Sequence, residues 1–221
     1  MNFQEFRIAF QGYPVISTTE IDKLFPAFDF KNLINWQRKN YVQKVRNSWY
    51  RLTENAPNES TLFFISNQMY QPSYISLETA LSYYGFIPEG VFKTTAISTL
   101  KTQNFTTPLG VFGYQNLKPK LFFGYKLIEF NNFRFKIAEP EKTILDYLYL
   151  HSDIDSEDHF EGLRLNIFEI KRQINFETLN NYTVYINSKS LSKRVKTFIK
   201  FIENAQSFAN PTSISAISAR K

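Results

Sequence analysis

Basic and amide side chains recur on one face of a predicted helix between Phe30 and Lys39. Lys31, Asn35 and Arg38 are spaced i, i+4 and i+7, so they lie on the same side of that helix. Arginine and asparagine form paired hydrogen bonds with the major-groove edges of guanine and adenine, respectively. The spacing therefore predicts a face that reads DNA bases. Residues at the edge of this face would extend it, namely Asn32 and Lys39.

A β-hairpin is predicted to follow, from Tyr41 to Leu52 with its turn at 47–48. Three cations of this hairpin are expected to contact DNA phosphates, namely Lys44, Arg46 and Arg51. No acidic residue occurs from Lys31 to Thr53, which favours a polyanion contact over a merely solvated polar face. The alternative is an ordinary helical subdomain with a solvated surface.

Local signals predict the elements that must position these side chains. Phe3, Phe6 and Phe10 indicate a short amphipathic helix. Ser17 and Glu20 have the spacing of a capping box at the start of a second helix, which should end before Pro26. Asp29 is expected to cap the third helix. One side of that helix, opposite the polar face, is predicted to contain Phe30, Leu33, Ile34 and Trp36. Three helices followed by a hairpin is the order of a winged helix-turn-helix.

A helix with clear start and stop signals is predicted in the middle of the chain, with Ser76 as its N-terminal cap. Its apolar face consists of Leu77, Ala80, Leu81 and Tyr84. Gly85 suits the left-handed position after a helix, and Pro88 prevents the helix from resuming.

The rest of the chain predicts an α+β fold, because short strands are followed by several helices. A polar, turn-rich segment at 54–60 predicts a domain boundary, with a winged helix-turn-helix at 1–57, a mixed α+β domain at 58–205 and a mobile tail at 206–221. The expected strands are Phe92–Thr99, Val111–Tyr114, Leu121–Tyr125, Leu127–Phe130 and Phe133–Ile137. The expected helices begin near Thr61, Pro140, Asp155, Asn166, Asn175 and Ser190.

The last predicted helix has a second basic face. Its inner side is expected to contain Leu191, Val195, Phe198 and Ile202. The opposite side contains Lys189, Lys193, Lys196 and Lys200. A solvated lysine face is the ordinary interpretation, and a second DNA contact or a membrane-surface helix are the alternatives.

Composition excludes several classes of protein. Hydrophobic residues make up 43% and aromatic residues 17% of the 221-residue chain, which is sufficient for a buried core. The chain has no cysteine, so it has no disulfide and no thiolate metal site. The formal net charge of +6 favours polyanionic partners. No signal-peptide pattern and no membrane-spanning apolar run are present, so we expect a cytoplasmic protein without a membrane partner.

Enzymatic chemistry has little support in the sequence. The only histidines, His151 and His159, flank a group of acids at 153–158, and their spacing matches no known metal-ligand motif. The motifs of phosphate-binding loops, serine hydrolases and zinc proteases do not occur. We therefore expect no cofactor, no metal and no catalytic residue. A metal-dependent enzyme using His151 and His159 remains an alternative.

Two segments resemble the signatures of the AbiEi antitoxins of bacterial abortive-infection toxin–antitoxin systems. They are Tyr74–Glu89, which reads YISLETALSYYGFIPE, and Ile137–Leu150, which reads IAEPEKTILDYLYL. The resemblance implies a repressor of its own toxin–antitoxin operon that binds double-stranded operator DNA. It also implies that the protein neutralises a nucleotidyltransferase-like toxin through its second domain, with or without direct contact. A protein-interaction module that binds no DNA is the other alternative.

Overall fold

The computed structural model describes residues 1–205, and the predicted tail at 206–221 lies outside them. The described chain forms ten α-helices, one short 3-10 helix and two β-sheets, which confirms the α+β class. Its internal contacts group residues 1–80 with 90–139 as a first unit, and residues 81–89 with 140–205 as a second. The boundary expected near residue 57 stays a prediction.

The helices and strands have the following bounds. The α-helices are α1 (Phe3–Phe10), α2 (Thr18–Leu24), α3 (Lys31–Arg38), α4 (Glu59–Met69), α5 (Leu77–Tyr83), α6 (Pro140–Leu150), α7 (Glu157–Gly162), α8 (Ile167–Gln173), α9 (Phe176–Ile186) and α10 (Lys189–Asn204). The strands are β1 (Ile16–Ser17), β2 (Val42–Arg46), β3 (Trp49–Leu52), β4 (Ser73–Ile75), β5 (Lys93–Ser98), β6 (Gln103–Thr107), β7 (Gly110–Asn116), β8 (Tyr125–Phe130) and β9 (Phe133–Ala138).

Three short helices and a small sheet open the first unit. The sheet is antiparallel with strand order β1-β3-β2. The predicted capping box of α2 is confirmed, since the Glu20 N–H donates to Ser17 Oγ and the Ser17 N–H donates to the Glu20 carboxylate. These helices and strands enclose one aromatic-rich core. It comprises Phe6, Phe10, Ile16, Ile21, Phe28, Leu33, Trp36, Val42 and Leu52.

The third helix begins at Lys31. The prediction that Asp29 is its cap is wrong, because Phe30 occupies the cap position, although Asp29 Oδ1 accepts the Lys31 N–H at 3.0 Å. Leu33 and Trp36 are buried as predicted. Phe30 and Ile34 were predicted to lie on the same side as these two residues, but they are 41% and 53% exposed. A helix of eight residues presents a narrow stripe to the core, and Leu33 and Trp36 already fill it.

The second sheet of the first unit has six strands in the order β6-β7-β5-β4-β9-β8. The β4–β9 and β5–β7 pairs are parallel, and the other pairs are antiparallel. Asn131 and Asn132 both have positive φ angles and join β8 to β9, as the hairpin prediction requires. The strand predicted at Leu121–Tyr125 is wrong. A 3-10 helix at Pro119–Leu121 starts on a proline, and β8 begins only at Tyr125.

The central helix α5 is held at its start by a threonine pair that was not predicted. Thr95 Oγ1 on β5 accepts the Thr79 N–H at 3.1 Å, and the Thr95 N–H donates to Thr79 Oγ1 at 2.7 Å. The end of the helix follows the prediction, since Gly85 has a φ of +68°. The N–H groups of Gly85 and Phe86 donate to the carbonyls of Ser82 and Leu81, which closes the helix as a Schellman motif.

The second unit consists of α6 to α10 and the end of α5. Pro140 is the first residue of α6, and Asn166 and Asn175 cap α8 and α9, as predicted. The helix α10 begins at Lys189, one residue before the predicted Ser190, and Ser188 is its cap. The predicted inner face of α10 is confirmed. Its residues Leu191, Val195, Phe198 and Ile202 are all buried.

Candidate nucleic-acid interface

The predicted base-reading face of α3 is exposed to solvent. Lys31, Asn35 and Arg38 all have exposed side chains, and so does Lys39 at the end of the helix, whereas Asn32 is half-buried. The opposite side is held by Trp36, whose ring centroid lies 4.9 Å from that of Phe6. The aromatic core therefore determines which side of α3 faces outward.

The end of α3 directs the chain into the hairpin. Asn40 adopts a left-handed conformation with a φ of 56°, and the Tyr41 N–H donates to the Trp36 carbonyl at 2.9 Å. The Tyr41 ring then stacks on Phe3 of α1, with their centroids 4.5 Å apart. The exit angle between α3 and β2 is thus set by both the backbone and this ring contact.

The hairpin itself presents one of the three predicted cations freely. Lys44 is exposed on β2, directly before a bulge that shifts the pairing register between Lys44 and Arg46. Ser48 in the turn has a φ of 67°, which is compatible with a tight reversal.

The other two hairpin cations are bound within the protein. Arg51 is 8% exposed; its guanidinium donates to Gln43 Oε1 at 2.8 Å and to the Asn55 carbonyl. Burial lowers the pKa of Arg51 below its usual value. Arg46 is half-buried; its Nη1 donates to the Met69 carbonyl at 2.6 Å. The guanidinium carbon also lies 3.6 Å from the ring centroid of Phe105 on β6.

The charge around α3 is not neutralised by neighbouring acids. Among residues 1–205, Lys31, Arg38, Lys39 and Lys44 have no carboxylate within ion-pair distance. Several acids of this region have other partners: Glu5 and Glu20 cap helices, Glu54 pairs with Arg7 at 2.7 Å, and Asp29 accepts the backbone N–H of Lys31 at the start of α3. The exposed cations therefore contribute an uncompensated positive potential.

Sequence reasoning missed Ile34 as a candidate for this face. It lies three residues after Lys31 and four before Arg38, which is the spacing of one helix side. With a side chain that is 53% exposed, it can supply the apolar contact that recognises a thymine methyl group. The spacing of Ile34 from Lys31 and Arg38 could have identified it, but its apolar side chain led to its assignment to the opposite side of the helix.

The second basic face lies on α10. The four predicted lysines, Lys189, Lys193, Lys196 and Lys200, are all exposed. Arg194 is different, because it is buried and its Nε donates to the Leu148 carbonyl at 2.9 Å. The lysines and the guanidinium are therefore separated on opposite sides of the helix.

Within residues 1–205, the alternative of a metal-dependent enzyme that uses His151 and His159 finds no set of metal ligands. The His151 ring stacks on Tyr147 at 4.2 Å between centroids, and His159 Nδ1 lies 3.5 Å from Asp155 Oδ1. No three His, Asp or Glu side chains of the described chain converge as metal ligands. In the same residues, no helix combines the length and the apolar character needed to cross a bilayer.

Comparison with known proteins finds no matching family model and no matching curated protein.

Proposed function

We propose that this protein is a sequence-specific DNA-binding repressor whose N-terminal segment acts as a winged helix-turn-helix. The observation that carries the proposal is the exposed, unneutralised face of α3, where Lys31, Asn35 and Arg38 stand together. A helix of this kind enters the major groove and reads base edges. Ile34 adds an apolar contact on the same side.

The hairpin supports this proposal through Lys44. An exposed lysine at that position can neutralise a phosphate beside the groove. Arg46 and Arg51 are left out of the proposed phosphate contacts, because their guanidinium groups already bind Met69, Gln43 and Asn55. They stabilise the hairpin instead.

The resemblance to AbiEi antitoxins supports the biological setting that we propose. In this setting the protein represses its own operon in the cytoplasm and neutralises a nucleotidyltransferase-like toxin, without being an enzyme. The first resembling segment contains α5, and the second contains α6. Most residues of both segments are buried, so the segments contribute to the core of the fold more than to a contact surface.

The first test is DNA binding to the region upstream of the gene, measured by gel shift with Asn35→Ala beside the unchanged protein. We expect the variant to lose about 1–3 kcal/mol of discrimination at the base that Asn35 reads. Binding to random DNA should change little, because the lost contact carries sequence information. Equal weakening on specific and random DNA would show that Asn35 does not read a base.

Lys44→Gln should weaken binding to every DNA sequence. Removing one phosphate contact should reduce the slope of log affinity against log salt concentration by about one unit. Lys120→Gln is the matched control, since Lys120 is exposed in the same unit and lies outside the proposed interface. If both variants kept the original slope, the hairpin would not contact phosphates.

A protein-binding function without DNA is the second candidate, and exposed apolar side chains in the second unit favour it. Phe168 on α8 is 73% exposed, and Val184 and Tyr185 on α9 are 77% and 66% exposed. Such residues are typical of contact surfaces when they form a patch. Failure of the gel shift, combined with toxin neutralisation, would favour this candidate over the repressor.

A further inference from the structure

A polar cavity of about 370 Å³ lies in the first unit where the short strand β4 begins. It is bordered by the end of α4, the start of β4 and the strands β8 and β9. The side chains that the argument uses are Asn67, Ser73, Arg134 and Lys136. None of them belongs to the proposed DNA interface.

Two buried polar groups in the cavity lining lack hydrogen-bond partners. Asn67 and Ser73 are 7% and 2% exposed, and neither Asn67 Nδ2 nor Ser73 Oγ has a partner among residues 1–205. Asn67 Oδ1 accepts the Lys136 N–H of β9, which orients the amide and leaves its NH₂ group available. A buried donor without a partner destabilises the protein, and a bound molecule or ion with acceptor atoms would satisfy it.

Cations stand at the rim of the same cavity. Arg134 is exposed and pairs with Glu129 Oε1 through both its Nε, at 2.9 Å, and its Nη2, which leaves the Nη1 group for a ligand. Lys136 Nζ lies 5.5 Å from the Tyr125 ring centroid, which holds its ammonium group near the sheet surface. With two cations and one carboxylate, the rim of the cavity has a net positive charge.

We propose that this cavity binds an oxyanion, namely a phosphate group carried by a small molecule or by a nucleic acid. Arginine and lysine at the rim would neutralise its charge, and Asn67 Nδ2 and Ser73 Oγ would donate to its oxygens. Phosphate is favoured because it offers several acceptor oxygens to donors that arrive from different elements. The proposal does not depend on DNA binding by α3.

The test is calorimetric titration of the full chain with inorganic phosphate, with a mononucleotide and with a short random duplex at constant ionic strength. We expect millimolar or tighter binding, weakened about tenfold by Arg134→Gln and by Asn67→Asp. Arg134 is exposed, so its replacement should not affect folding. Lys101→Gln, an exposed lysine outside the cavity, is the matched control.

Each outcome distinguishes the source of the phosphate. Binding of phosphate or the mononucleotide indicates a small-molecule site, whereas binding of the duplex alone, weakened by Arg134→Gln, indicates a nucleic-acid contact. The double variant Lys31→Ala, Arg38→Ala should retain phosphate binding, which separates this site from the α3 face. Absence of binding in all three titrations, or equal binding by all variants, would overturn the proposal.

Discussion

Replacing Lys142 by methionine is expected to lower the free energy of unfolding by about 3–5 kcal/mol. Lys142 and Asp146 form an ion pair one turn apart on α6, and their side chains are 1% and 2% exposed. The variant would leave the Asp146 carboxylate in a buried environment without its ammonium partner. Removing one partner of a buried ion pair is strongly destabilising, because the remaining charge loses an interaction that offset the cost of its burial.

The measurement is urea denaturation followed by circular dichroism. Tryptophan fluorescence would not report on this region, because both tryptophans, Trp36 and Trp49, lie in the first unit. The double variant Lys142→Met, Asp146→Leu should be more stable than Lys142→Met alone, since it removes both charges. Lys196→Met, an exposed lysine on α10, should change stability by about 0.5 kcal/mol or less. If Lys142→Met lowered the free energy of unfolding by less than about 1 kcal/mol, the buried ion pair would not have the stabilising role described here.

The double variant Lys31→Ala, Arg38→Ala should lose operator binding by on the order of 100-fold while the protein remains folded. Both side chains are exposed and make no ion pair within the described chain, so their removal takes nothing from the core. If repression and neutralisation reside in different parts of the protein, this variant should still rescue cells from the toxin. Expression from a foreign promoter keeps protein levels independent of repression.

Gel shift and colony survival with the toxin induced should be measured on the same variants. Lys118→Ala, Lys120→Ala is the matched control, because it removes two exposed lysines of the same unit at a distance in sequence from α3. Unchanged operator binding by the Lys31/Arg38 variant would show that α3 is not the DNA-binding element. Loss of rescue together with loss of DNA binding would show that the two proposed roles are not separable.

The sequence alone predicted features whose causes lie within a few residues. One is the capping box, in which the side chains of Ser17 and Glu20 bond backbone N–H groups three residues apart. The others are left-handed backbone conformations, which glycine and asparagine adopt readily, at Gly85 and at the Asn131–Asn132 turn. The inner face of α10 was also predictable, because apolar spacing along a helix determines which side is buried.

Strands without a strong local pattern were not predictable. The strand β6 is the polar segment QNFTT, and β4 is only three residues long. Both are strands because neighbouring strands supply their hydrogen-bond partners: β7 pairs with β6, and β5 and β9 flank β4. Conversely, the apolar segment at Leu121–Tyr125 resembles a strand in sequence but opens on a 3-10 helix and has no strand partner before Tyr125.

For the candidate DNA interface, the sequence determined the residue types, and the tertiary structure determined which side chains are free to contact DNA. Lys31, Asn35 and Arg38 share a face by helical spacing alone, and they are exposed as that spacing suggests. Arg51 and Arg46 look equivalent to Lys44 in sequence, yet both are bound within the protein. The partners of Arg51, Gln43 and Asn55, are near it in sequence, whereas those of Arg46, Met69 and Phe105, come from other parts of the chain. Whether a cation is free for a ligand depends on such long-range contacts, and those contacts exist only once the chain has folded.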